Sequence, residues 1–533
     1  NLMTGMSIGA IVADPENPNI VMATTGRGDN LKSFVFRSTN GGDTFQRATI
    51  SGTSAQGDWN DLKYSVPDAT GKRYYYATCS NPNNSKTGAL WRSADRGVTW
   101  KKLNAPLMTP FYLPYYQVTV APSASDPYTV YLLEGDTLFG FGFIYKGVVN
   151  PADDSYSWTD ISGNYDERFQ NFGQAFYDMH LRAGVQGGKD VLYGGTLGFG
   201  GSVGANDTWV DISRTYDVET DAFGEWINVN DTFHTDQHCM AFDPFNPNGA
   251  IVGSDGGVYY MEFDPAKYNP ATPAENYKAW KITSLNANLG ITEFYYGDFH
   301  PTDPNIMLGG AQDNSTPNST GDLNNWTNVG VGDGGGSAIV KTNTGYAQFS
   351  TNQSYSFVLR TGDNWQTRWF NGAPWDTLLN GMPGEYITPN WFFDYRPFVG
   401  PLFSDDNTGS IYLLTDYLWR WDEAQHKWEG HVGNAYLSPY YYCTAFAVAP
   451  SDSNRLYVGT GEGFLWMSKD RGKTWVQIAS NELPYRTITS LSVHPTNPDD
   501  LIVTYSGTGS SHVFRCKTMS RPPTKFVKID GFD

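Results

Sequence analysis

Four cysteines in 533 residues, Cys79, Cys239, Cys443 and Cys516, are too few and too scattered for a disulfide framework, and each reads as a buried strand residue. Basic residues are also scarce, with 36 Lys and Arg against 55 Asp and Glu. The resulting net charge of −19 argues against nucleic acid as a partner, since phosphate binding needs a basic face. It equally disfavours an anionic membrane surface. No apolar run reaches membrane-spanning length, so membrane insertion is not expected. Charge runs are missing, and the surplus lies in Gly, Tyr, Asn and Thr, the composition of an extracellular or cell-surface protein. The chain starts at Asn1 without an initiator Met, the start expected of a processed or trimmed polypeptide.

What is abundant is short-range repetition. The stretch Trp91-Arg92-Ser93-Ala94-Asp95-Arg96-Gly97-Val98-Thr99-Trp100 returns as Trp466-Met467-Ser468-Lys469-Asp470-Arg471-Gly472-Lys473-Thr474-Trp475. A third copy, with Ser38, Asn40 and Gly42, ends in Phe45. Asp and Gly suit a tight turn, Ser and Thr hydroxyls can bond it from either side, and the aromatic anchors the next strand. A second signal precedes these turns: an apolar strand, a Pro turn, then another apolar strand. Ile11–Pro15 followed by Ile20–Ala23 is the first copy, and Leu491–Pro495 heads the last. Weaker copies start near Tyr64, His180, Ala338 and Leu402. Closing aromatics at Phe45, Trp100, Trp158, Trp226, Trp280, Trp326, Trp365, Trp428, Trp475 and Phe526 fall at a spacing suited to four short strands with loops.

The Ser-x-Asp-x-Gly-x-Thr-Trp pattern resembles the Asp-box, or BNR repeat, of sialidases, xyloglucan-cleaving glycosidases and sortilin-type receptors. The resemblance implies an all-β protein, a multi-bladed β-propeller of four-stranded antiparallel blades. About ten repeats make one large ring over residues 1–533, like the sortilin-type propeller, the expected arrangement; two smaller tandem propellers are the alternative. In those families the box lies on an outer hairpin away from the ligand, so Ser93, Asp95, Gly97, Trp100 and their counterparts are expected to be structural. Sialic acid hydrolysis is rejected, because it needs an Arg triad and an Arg-Ile-Pro segment, whereas Arg is scarce among the proposed channel strands and the nearest match, Tyr395-Arg396-Pro397-Phe398, is misplaced and lacks the Ile.

Chemistry is expected at the mouth of a blade's first strand. Phe233–Cys239 reads as the most polar such strand. Alternation would put His234, Asp236 and His238 on one face, a set that could bind a transition metal but is spread over about 13 Å, too far to converge on a single ion without a bend. A hydrogen-bonded polar plug is the expected role. Three acidic Gly-rich turns follow, carrying Asp255, Gln312 with Asp313, and Asp333. The turns of Asp255 and Asp333 resemble those bearing the catalytic carboxylates of xyloglucanase-like glycosidases, which would make the two an acid and base pair for inverting hydrolysis. Trp369, Trp375, Trp391 and Tyr395 lie in aromatic, Gly- and Pro-containing loops suited to stacking on sugars or on a protein partner. Asp405, Asp406 and Asn407 have the oxygens for a structural Ca²⁺, although an ordinary turn explains them too. No other cofactor is expected. The expected function is recognition of a polysaccharide or an extracellular protein. Glycoside hydrolysis is the first alternative and a structural place in a surface assembly the second.

Overall fold

In the computed structural model of the chain, strands are short and each pairs with the next in sequence. The described residues are 3, 6–26, 34–50, 57–80, 89–107, 116–136, 141–151, 153, 155–161, 175–186, 189–195, 199–202, 210–211, 234, 236–267, 279–330, 332–343, 345–355, 358–362, 365, 385–386, 394–478, 482–509, 511–519 and 524–531. Among them are ten antiparallel sheets, each a four-stranded meander in sequence order. Blades 1 to 10 span 7–47, 59–103, 116–160, 180–211, 237–284, 294–328, 334–386, 402–429, 443–477 and 488–528. Blade 2 gains a fifth strand, Thr49–Ile50, laid parallel to Thr99–Leu103. This is the blade architecture of a β-propeller. Two compact units, Asn1–Leu289 and Gly290–Asp533, each hold five blades.

Among the described residues no single core serves the chain; apolar residues are buried between successive blades. Met22 and Val35 of blade 1 pack on Trp59, Leu62, Tyr75 and Trp91 of blade 2. Val191 and Tyr193 of blade 4 meet Met240, Val252 and Met261 of blade 5. In the second unit, Tyr412 and Leu418 of blade 8 meet Phe446, Leu456 and Val458 of blade 9. Strands flanked by neighbours on both faces are buried throughout, as in Tyr75–Cys79 and Ser410–Leu414, and so lose the usual polar alternation. Polar side chains join neighbouring blades as well. Thr78 Oγ1 donates to Val118 O at 2.8 Å, Arg182 Nε to Met240 O at 3.0 Å, and Ile339 N to Asp298 Oδ2 at 2.8 Å.

The Asp-boxes sit in the turns between third and fourth strands. Ser93 Oγ donates to Asp95 Oδ1 at 2.7 Å and accepts from Gly97 N at 2.9 Å. Asp95 also accepts from Thr99 N at 2.9 Å and Thr99 Oγ1 at 2.5 Å. Ser468, Asp470, Gly472 and Thr474 repeat the set. Ser38, Asn40, Gly42 and Thr44 N keep the pattern with an amide oxygen in place of the carboxylate, but Asn40 Nδ2 donates to Thr44 Oγ1 at 3.0 Å, reversing that bond. Trp100 is buried with its indole N–H donating to Gly97 O, whereas Trp475 donates to Val432 O.

Three expectations are corrected. Trp365 does not open a closing strand; it follows Val358–Thr361 in a turn at φ +63° and is buried, its indole bonded to Gln348 Oε1. All four cysteines are free, but Cys239 is exposed rather than buried. The polar first strand of blade 5 starts at Gln237, not Phe233, because Asp236 adopts φ +62° and breaks the extended run. His234, Asp236 and His238 therefore do not share a strand face. His234 instead leans over Gly256, where a Cβ would lie 2.2 Å from the His234 Cβ.

Candidate functional site

In an antiparallel meander, alternate connections emerge at opposite ends of a blade. Turns joining second to third strands share one end with the connectors entering each first strand; the Asp-boxes occupy the other. Among the described residues, seven blades have a register shift between first and second strands near the start of the first strand, at Ile8/Ala10, Trp59/Asp61, Gln237/Cys239, Phe294/Tyr296, Gly334/Ser337, Cys443/Ala445 and Ile488/Ser490. Bulges re-aim side chains where they occur. One titratable cluster in each unit lies at this connector end.

In the first unit, Asp255 forms the turn between Gly249–Ser254 and Gly257–Phe263. Its Oδ1 is 2.6 Å from His238 Nε2, and Tyr177 OH donates to Oδ2 at 3.1 Å. The Tyr177 ring meets the His238 ring edge-on, centroids 4.7 Å apart. Asp236 brings a carboxylate oxygen within 4.8 Å of one from Asp255. Asp178, ending the helical turn Ala175–Asp178, is only 1% exposed and faces Asp236. Burial first, then the facing Asp236 carboxylate, pushes its pKa up to about 8. His180 beside it is pulled down to about 3, chiefly by burial, so its neutral ring donates Nδ1–H to Gln237 O at 3.2 Å.

In the second unit, Asp333 precedes the first strand of blade 7, Gly334–Thr342, and bridges to Ser315. Its Oδ1 accepts from Tyr295 OH at 3.3 Å and from Asp313 N at 3.2 Å. Burial, then Asp333, pushes the Tyr295 phenol up to about 12. Gln312 and Asp313 lie in the loop between second and third strands of blade 6, where Asp313 takes φ +56° and Gln312 N donates to Glu293 O. Asp255 and Asp333 belong to different units, and each is bonded within its own.

The same end of blades 8 to 10 carries an aromatic surface. Asp416 and Tyr417 form the second-to-third turn of blade 8, and Leu437 N and Ser438 N donate to Asp416 O. Tyr395 N donates to Asp416 Oδ1 at 3.2 Å. Buried Asp416 is pushed upward, first by desolvation and then by Asp394. Asp394 Oδ2 accepts from Thr415 Oγ1 at 2.9 Å and Trp419 Nε1 at 2.8 Å, and Oδ1 lies 3.1 Å from His431 Nε2. Tyr417 stacks on His431 at 3.8 Å and lies 5.2 Å from the Tyr436 ring. Ser438 Oγ and Tyr440 N both donate to Glu462 at the corresponding turn of blade 9. Around this polar floor Tyr395, Tyr436, Tyr440 and Tyr441 are exposed, and so is Tyr485 in the connector to blade 10 at 88%.

Of the aromatics expected to form a recognition surface, Tyr395 is placed here, while Trp369, Trp375 and Trp391 lie outside the described residues. Asp405 is occupied by its own turn, accepting from Asn407 N, Thr408 Oγ1 and Ser453 Oγ. Sequence reasoning missed Tyr177, Asp178, Asp394, Asp416 and His431. One signal was available: an acid stands one or two residues before the first strand in Asp58, Asp178, Asp236 and Asp333.

The BNR-Asp box repeat family matches at residues 90–103 and 465–478, two of the three boxes described above. No curated protein matches the chain. Among solved structures, the GH74 enzyme of Niastella koreensis is 13% identical over 97% of this chain and 91% of its own, with a TM-score of 0.30. The GH74 xyloglucanase from Xanthomonas campestris is 14% identical over 98% and 86%, with a TM-score of 0.36. YCF48 from Cyanidioschyzon merolae is 14% identical over 65% and 92%, with a TM-score of 0.33.

Proposed function

We propose that this Asp-box propeller is an extracellular or cell-surface protein that recognises a polysaccharide through the connector end of blades 8 to 10. The observation carrying this reading is the group of exposed tyrosines, Tyr395, Tyr436, Tyr440, Tyr441 and Tyr485, set around hydrogen-bonded acids. Phenol rings offer flat apolar faces for the C–H side of a sugar, while their hydroxyls and the nearby Glu462 meet its hydroxyls. An end built only to pack against protein would not leave the rings wet and separated by polar groups. Binding measured by calorimetry against neutral polysaccharides tests it. The Tyr440→Ala/Tyr441→Ala double variant is expected to bind at least tenfold more weakly, with its fold unchanged by circular dichroism. Unchanged affinity, or binding of a protein with no response to any polysaccharide, overturns the reading.

Glycoside hydrolysis by Asp255 and Asp333 is the second reading. In its favour, both acids stand at the connector end of their blades, partly exposed, each with a phenol donating to it. Asp255→Asn and Asp333→Asn should each abolish polysaccharide cleavage while leaving binding intact. Cleavage that survives either change removes that residue from the chemistry.

A further inference from the structure

We propose that a cavity at the Asp-box end of blades 1 and 2 binds an acidic sugar by its carboxylate. The cavity measures about 400 Å³, within the range of about 300–1,000 Å³ usual for small-ligand sites. Three turns of the meanders converge on it. Glu16 comes from the first-to-second turn of blade 1, residues 70–73 from the same connection of blade 2, and 94–96 from the box turn of blade 2. The box sets the position of Arg96, which takes φ +56° ahead of Gly97. Arg37 of blade 1 secures that turn, donating from Nε to Arg96 O at 2.7 Å. Packing of blade 2 on blade 1 therefore builds the cavity.

Lys72, Arg73 and Arg96 bring three cations to this one cavity, in a chain with only 36 Lys and Arg. Most acids nearby are already engaged. Asp95 accepts from Ser93 and Thr99 inside the box, and Asp68 from Thr70, Lys72 N and Tyr74 OH. Buried Asp14 accepts from Tyr75 OH at 2.7 Å and two backbone N–H groups, and lies 3.4 Å from Arg96 Nε. Exposed Glu16 meets both guanidinium groups, Arg73 Nε at 3.2 Å and Arg96 Nη2 at 2.6 Å. Lys72 has no acidic partner among the described residues; its ammonium lies 5.3 Å from the centre of the Tyr74 ring. Arg73 Nη2 and Arg96 Nη1 also remain to donate. A carboxylate suits this set, taking guanidinium N–H groups along one edge and the ammonium as a point charge. Glu16 and Thr70 Oγ1 supply acceptors in the same wall. A uronic acid ring offers a carboxylate with hydroxyl donors beside it and so uses both; a glutamate side chain offers the first without the second. The site is separate from the tyrosine surface and does not depend on that reading.

Calorimetric titration of the full chain with trigalacturonate, at pH 7 and low ionic strength, is the test. The trisaccharide should bind, and its fully methyl-esterified form, alike in shape but uncharged, should bind at least tenfold more weakly. Lys72→Gln should weaken trigalacturonate binding at least fivefold, while Lys72→Arg keeps it. Exposed Lys72 makes no ion pair, so both variants should fold as the parent does, checked by circular dichroism. No binding at millimolar trigalacturonate overturns the proposal, as does equal binding of the ester or full affinity in Lys72→Gln. Triglutamate binding as tightly as the trisaccharide overturns the sugar assignment and makes the ligand an acidic peptide.

Discussion

Replacing Gly97 by Ala separates two roles that the Asp-box glycine combines. Gly97 has φ +80°, and a Cβ there would stand 2.2 Å from Met22 Sδ and 3.0 Å from Met22 Cγ in blade 1. The left-handed backbone costs a non-glycine residue about 1–2 kcal/mol. Forcing a methyl into the packed seam between blades 1 and 2 adds about 1–3 kcal/mol. The expected loss is therefore about 2–5 kcal/mol for Gly97→Ala. The equivalent Gly42 also has positive φ, at +98°, but its Cβ would only touch the Phe45 ring at 4.0 Å. Gly42→Ala should lose the backbone share alone, about 1–2 kcal/mol. Urea unfolding followed by tryptophan fluorescence, with both variants compared at equal m-value, reads the difference. Equal losses would refute the idea that the box turn is a blade-to-blade contact.

Other consequences can be checked by similar means. Ser468→Ala removes a hydroxyl that donates to Asp470 and accepts from Gly472 N, and should cost about 1–3 kcal/mol in urea unfolding. Asp61 is buried, ion-paired with Lys63 and bonded to Thr119 Oγ1 and Val120 N of blade 3; despite the opposing effect of burial, the Lys63 charge leads the groups that hold its pKa near 2. A depressed folded pKa stabilises above the unfolded value of 3.8 and is lost as pH falls toward 2, here about 2 kcal/mol, visible as an acid shift in unfolding midpoint that Asp61→Asn removes. Asp178 has the opposite sign. Its raised pKa makes the folded state hold a proton between about 4 and 8, so stability falls with rising pH by about 1.4 kcal/mol per unit in that window. Asp178→Asn should therefore raise the unfolding midpoint at pH 8 and gain little at pH 4; a midpoint that drops at pH 8 contradicts it.

The Asp-box turns were legible because their bonds are local: Ser93 to Asp95 spans two residues and Asp95 to Thr99 spans four. First strands were legible from apolar runs ending in Pro turns, even the weaker ones at His180–Gln186 and Leu402–Asp405. The candidate sites were only half visible. Asp255 and Asp333 stood out as acids in Gly-rich turns, but Tyr177 reaches Asp255 across 78 residues, a pairing fixed by blade-to-blade packing. His234 and Asp236 were misplaced because a single left-handed residue at Asp236, invisible to an alternation argument, ends the strand early. Tyr436 and Tyr485 carried no local signal; only the meander's alternation brings their connectors to one end.

Hydroxyl-radical footprinting of the tyrosines, with and without a saturating polysaccharide, tests the recognition surface most directly. Protection of Tyr440, Tyr441 and Tyr485, with exposed Tyr64 of blade 2 unchanged, is the predicted result. Equal labelling of the three tyrosines in the presence of a polysaccharide that binds elsewhere on the chain would contradict it.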